Sequence, residues 1–150
     1  MRVVIQRVRE ASVEVDGKTV SSIGAGLLVL AAFRSGDSEA DLEWMARKCL
    51  DLRIFEDKNG KMNLSVLDVG GSVLVVSQFT LYGECRKGRR PDFIASAPAE
   101  EARSLYGRFL GIMSGYHPKV AGGVFGAKMN VRLVNDGPVT LVIDRGPGEA

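Results

Sequence analysis

At 150 residues, 45% hydrophobic and 25% charged, the chain is long enough to bury one core without staples, so a single domain spanning 1–150 is expected. A net charge of +2 at pH 7 assigns no partner by itself; its distribution carries more. Two cysteines, Cys49 and Cys85, exclude a disulfide framework, and with no CxxC or Cys/His cluster neither a metal nor a cofactor is expected. The longest apolar run, Ile23 to Phe33, is about 11 residues and broken by glycine, well short of a membrane span. No signal-peptide pattern opens the sequence, so a cytoplasmic protein is expected.

In chain order, Arg2 to Val8 reads as a buried strand, and Ala11 to Val15 and Thr19 to Ile23 alternate around Asp16-Gly17, a hairpin signal. Gly26 to Phe33 is continuously apolar, as in a central strand covered on both faces. The spacing of Leu42, Met45, Ala46, Cys49 and Leu50 predicts a helix from Ser38 to about Leu50, with Ser38 as cap and Asp41 at its third position. Cys49 then lies on the apolar face as an inert thiol. Asp57-Lys58-Asn59-Gly60 predicts a second hairpin, and Val73 to Val76 a strand continuing through Ser77-Gln78-Phe79-Thr80. A charged loop follows at Glu84 to Pro91. A second helix is expected near Pro98, with Ser96 as candidate cap and Ala102, Leu105, Tyr106 and Phe109 on its inner face. Met129 to Val134 and Val139 to Ile143 alternate and read as paired strands with a turn at Asp136 to Pro138. The fold class is therefore α+β, a mostly antiparallel β-barrel or roll with two covering helices.

Few side chains suit catalysis. His117 is the single histidine and sits after the second helix, no paired carboxylates stand out, and no GxxxxGK[ST] or strand-linked GxGxxG loop is present. Arg86, Lys87, Arg89 and Arg90 place four cations in five positions, which suits either phosphate tracking or a solubilising loop. Ser77, Gln78 and Thr80 end an apolar strand, either lining a pocket with hydroxyls and N–H groups or running out into solvent. Gly137-Pro138 is either an ordinary turn or a rigid, side-chain-poor device presenting main-chain carbonyls.

Ser77-Gln78-Phe79-Thr80-Leu81-Tyr82-Gly83 and Asn135-Asp136-Gly137-Pro138-Val139-Thr140 resemble the two signature motifs, SQxT and NxGPxT, of the D-aminoacyl-tRNA deacylases. Ile5 to Val8, Arg53 to Asp57, Met62 to Ser65 and the Arg86-to-Pro91 loop resemble family segments between and before them. The resemblance implies a homodimer that hydrolyses the ester joining a D-amino acid to the 3′-terminal adenosine of tRNA. It further implies a cis Gly137-Pro138 bond inserted into the active site of the partner subunit, where its carbonyl oxygens exclude an L-side chain, with Arg7 orienting it. Ser77, Gln78, Phe79 and Thr80 form the opposing wall, Thr80 positioning substrate in preference to acting as nucleophile because no base activates it. The 2′-hydroxyl of the terminal ribose, acting with a water, is the activator the family implies. Phe125, Gly126, Ala127 and Met129 match a segment near the adenosine, with core packing as their other reading, and the basic loop gains the acceptor-stem backbone as a partner. Where the family commonly has Thr-Gly before Phe-Gly-Ala, this chain has Gly122-Gly123, losing a hydroxyl. Two alternatives remain: an editing enzyme for L-aminoacyl-tRNA, and a non-catalytic nucleic-acid-binding barrel.

Overall fold

The computed structural model describes residues 1–149. Eight strands and two helices follow in order: β1 (Arg2–Val15), β2 (Lys18–Ile23), β3 (Gly26–Ala32), α1 (Glu39–Asp51), β4 (Phe55–Glu56), β5 (Met62–Leu64), β6 (Ser72–Ser77), α2 (Ala99–Tyr116), β7 (Val120–Gly122) and β8 (Met129–Asp144). A 3-10 turn at Phe79–Tyr82 follows β6, so the strand expected to run through Thr80 stops at Ser77. The main sheet has the order β2-β1-β3-β6-β7, with β8 on β1, and β4-β5 form a separate hairpin. It is a mixed, nearly closed barrel-like sheet: β1 pairs antiparallel with β2, β3 and β8, whereas β3-β6 and β6-β7 are parallel. Among the described residues, no helix is long and apolar enough to cross a membrane.

Strand alternation divides the interior. Val3, Ile5, Leu27, Val29, Ala31, Val73 and Val75 pack with Leu42, Met45, Leu105, Phe109 and Met113 of the helices. Residues of opposite phase, Leu28, Leu74 and Val76, join Val8, Ala11 and Val13 in a second cluster flanked by Met129, Val131 and Leu133 of β8. Helix α1 starts as its sequence dictates: Ser38 Oγ accepts from the Asp41 N–H and the Asp41 carboxylate accepts from the Ser38 N–H, a capping box. Asp41 is buried, which favours its neutral form, yet bonds from Ser38, the Gly148 N–H and Arg145 hold its carboxyl well below the usual range. Burial pushes the Cys49 thiol up to about 12, as befits an inert core cysteine. Helix α2 begins at Ala99 with Pro98 as N-cap; Ser96 does not cap it, and its buried hydroxyl has no hydrogen-bond partner. His117 closes α2 and is buried, its Nε2 lying 2.7 Å from the Gly71 carbonyl oxygen.

The expected turn at Asp136 to Pro138 is not a hairpin. Both alternating runs pair with the same strand, in line: Met129 to Asn135 lie along Val15 to Val8, and Thr140 to Asp144 along Gln6 to Arg2. Between the pairs Val8–Asn135 and Gln6–Thr140, the four residues Asp136 to Val139 face Arg7 alone and form a bulge in a continuous β8. The reason is the length of β1, whose 14 residues template both halves of β8 along one edge while β3 and β2 share its other side. Period-two alternation is the same for a strand that continues past a bulge and for one that turns back.

Candidate active site

The end of β6 delivers Ser77, Gln78 and Phe79 to a cavity of about 580 Å³, a volume suited to a nucleoside-sized ligand. Its remaining walls are the loop before α2 (Phe93, Ser96, Ala97, Pro98), the first turn of α2 (Ala99, Ala102), Phe125-Gly126-Ala127, and Met129 and Val131 of β8. Two sequence-distant candidate groups, Ser77 to Phe79 and Phe125 to Met129, therefore meet around one space. Phe93 and the small residues of the α2 entry were missed by sequence reasoning. Alanines and a proline carry no chemical signal, although an aromatic two residues beyond Pro91 is a usable one.

The wall is held from below. The Gln78 N–H donates to the Ala31 carbonyl at 2.8 Å, and Phe79 packs edge-on to Phe93 with ring centroids 5.2 Å apart. The guanidinium carbons of Arg2 and Arg34 stand 5.1 and 5.0 Å from the ring centre of Tyr82, in the same 3-10 turn, and Arg2 donates to the Leu81 carbonyl at 3.0 Å. Asp144 pairs with both arginines, tying the turn to the end of β8. Thr80 is exposed, lies outside the cavity walls, and its Oγ1 accepts from Gln78 Nε2 at 2.6 Å. A hydroxyl that accepts from an amide is not thereby deprotonated, so this geometry gives Thr80 no activating base. As opening residues of the turn, Phe79 and Thr80 present N–H groups that have no acceptor within it.

Gly122, in β7, lies outside the cavity walls. A Cβ on Gly122 would stand 2.8 Å from the Tyr106 hydroxyl and 2.9 Å from Leu110 Cδ2, so the space is already filled. That hydroxyl donates to the Val75 carbonyl at 2.9 Å, and burial raises its pKa. A hydroxyl is thus present beside this strand, supplied by α2. The Tyr106 ring meets Phe125 at 5.9 Å and 37°.

Arg7, Gly137 and Pro138 are not in this cavity. The Gly137-Pro138 bond is cis and both residues are exposed. Arg7 is buried beneath the bulge: its Nη1 donates to the Ile54 carbonyl at 2.6 Å, and its Nε lies 3.3 Å from the Asp136 carbonyl and 3.2 Å from Asp136 Oδ2. Asn135 closes the neck, its Nδ2 donating to the Arg7 carbonyl at 3.0 Å and to the Val139 carbonyl at 3.1 Å. Asn135 was legible as part of a motif, but not as the brace between the two sides of the bulge. In the basic loop, whose ends meet at the Glu84–Asp92 bridge, Arg86 is committed to Glu84 at 2.6 Å and lowers that carboxyl to about 2. Lys87, Arg89 and Arg90 are exposed.

The chain is thus a small α+β protein, a mixed sheet roll with two helices packed on it, an aromatic-lined cavity and a braced Gly-Pro bulge. Residues 4–144 match the family model described as D-Tyr-tRNA(Tyr) deacylase, and the chain belongs to that family. It is 57% identical to a D-aminoacyl-tRNA deacylase of Thermosipho africanus and 60% identical to one of Desulfitobacterium hafniense, each over 96% of this chain and 97% of the relative. Among solved structures, one of a c-Myc DNA Unwinding Element Binding Protein superposes with a TM-score of 0.92 at 43% identity, covering 97% of this chain and 99% of the other. A eukaryotic protein described as a probable D-amino acid tRNA deacylase superposes with a TM-score of 0.83 at 22% identity, covering 96% and 98%, and speaks for the fold alone.

Proposed function

We propose that the chain is a cytoplasmic D-aminoacyl-tRNA deacylase that hydrolyses the ester between a D-amino acid and the 3′-terminal adenosine of tRNA, working as a homodimer. The observation that carries this reading is the convergence of Ser77 to Phe79 with Phe125 to Met129 around one cavity. The adenosine enters against Phe125, Gly126, Ala127 and Met129, and the ester carbonyl faces the N–H groups of Phe79 and Thr80. Water adds to the carbonyl carbon, the bond to the 3′-oxygen breaks, and that oxygen leaves with a proton; the ribose 2′-hydroxyl orients the water. This assignment suits a wall with hydroxyls and amides but no activated nucleophile.

Selectivity is assigned to exclusion. The Gly137-Pro138 bulge is exposed and lies outside its own subunit's cavity, so it is free to enter that of the partner. Main-chain carbonyls there occupy the space an L-side chain requires, and Arg7 and Asn135 fix their direction. Glycine has no side chain to exclude, so glycyl-tRNA is a substrate as well. Lys87, Arg89 and Arg90 contact the tRNA backbone, whereas Arg86 is held by Glu84. The test is release of the amino acid from matched D- and L-tyrosyl-tRNA and from glycyl-tRNA; cleavage of D-tyrosyl-tRNA without cleavage of glycyl-tRNA contradicts the exclusion mechanism. The likeness to a protein named for binding a DNA unwinding element supports a second activity beside hydrolysis, nucleic-acid binding. It requires salt-dependent binding that Arg89→Ala and Arg90→Ala weaken.

A further inference from the structure

Arg103 lies on α2, apart from the basic loop, and reaches the Phe125-Gly126 edge of the cavity. Its guanidinium carbon stands 4.8 Å over the Phe125 ring, and its Nη2 is 3.5 Å from the point a Cβ would occupy on Gly126, where φ is +77°. Phe125 and Gly126 are cavity walls. The side chain is 56% exposed, and its ion-pair partner is Glu100 at 4.0 Å, a carboxylate 91% exposed and one turn away, an arrangement that neutralises little. An aromatic seat thus holds a guanidinium fork at the rim of a nucleoside-sized cavity with donors left over. Planar forks of this kind match phosphate oxygens, and stacking on an aromatic fixes the fork before the ligand arrives.

We infer that Arg103 is a phosphate-binding residue that takes the 5′-phosphate of the nucleotide whose base and ribose occupy the cavity. The inference rests on the reading of that cavity as the adenosine site. It places the first phosphodiester of the RNA on α2 and leaves Lys87, Arg89 and Arg90 for phosphates further along the strand.

The test compares binding of adenosine and adenosine 5′-monophosphate by calorimetry, with hydrolysis of D-tyrosyl-tRNA by the unaltered protein measured alongside. The monophosphate is expected to bind on the order of tenfold more tightly than adenosine, with an advantage that shrinks as salt rises. Arg103→Ala should erase that advantage and leave adenosine binding unchanged, and Arg103→Lys should keep part of it. Arg47→Ala removes an equal charge near Tyr116, about 20 Å along α2 from Arg103, and should keep all of it. The inference is overturned if the advantage survives in Arg103→Ala, if that variant weakens adenosine equally, or if the unaltered protein shows no advantage. Active hydrolysis with any of those results removes the Arg103 assignment alone, whereas absent hydrolysis removes the deacylase reading beneath it.

Discussion

Arg7 faces four residues of the opposite strand and serves as the floor of the bulge. It is buried, and its donors satisfy the Ile54 and Asp136 carbonyls while its charge meets the Asp136 carboxylate. Removing it leaves carbonyl groups without partners in a water-poor site, a loss of about 1–3 kcal/mol. Arg7→Ala should therefore lower urea stability by that amount, and Arg7→Lys should recover only part, since an ammonium lacks the fork needed to reach both carbonyls. The functional consequence separates orientation from stability: both variants should lose D-over-L selectivity by more than they lose D-ester hydrolysis. Equal loss of the two rates would make Arg7 a stability residue only.

Among the elements, β7 meets α2 at Gly122, where Tyr106 and Leu110 leave no room for a side chain. Tyr106 fills the space over Gly122, so Gly122→Ala should cost about 1–3 kcal/mol by overpacking. Tyr106→Phe in the same chain removes one of the two groups it meets, Leu110 being the other, and the double variant should lose less than the sum of the singles in urea melts. Strict additivity would show that the contact is relieved elsewhere. This pair also marks the limit of what the sequence displays. The helix faces, the Ser38–Asp41 capping box and the Asp16-Gly17 hairpin are legible because they rest on local spacing and cap chemistry, whereas the Phe125-to-Met129 group is singled out only by the family resemblance. The in-line β8 is not, since alternation leaves the pairing partner unstated, and neither are the parallel pairings of β6, which join residues distant in sequence. Phe93, Arg103 and Tyr106 acquire their roles only when α2 folds over the sheet.

For the whole molecule, the Ser77-to-Phe79 wall and the Gly137-Pro138 bulge lie on different parts of one subunit, and the proposed mechanism unites them across a dimer. A subunit with Thr80→Pro, which lacks an N–H assigned to the ester carbonyl, should lose activity but carry an intact bulge, while Arg7→Ala keeps the wall. Mixing and exchanging the two should raise D-over-L selectivity above that of Arg7→Ala alone, because mixed dimers pair a sound wall with a sound bulge. An unchanged ratio, or a fully active and selective monomer, would contradict insertion across subunits. The most direct measurement of the central claim is amino-acid release from D-tyrosyl-tRNA and L-tyrosyl-tRNA charged on the same tRNA, followed side by side with purified protein. Exclusion by the Gly137-Pro138 bulge requires rapid loss of the D-ester with the L-ester decaying at its uncatalysed rate; comparable hydrolysis of both, or of neither, would contradict it.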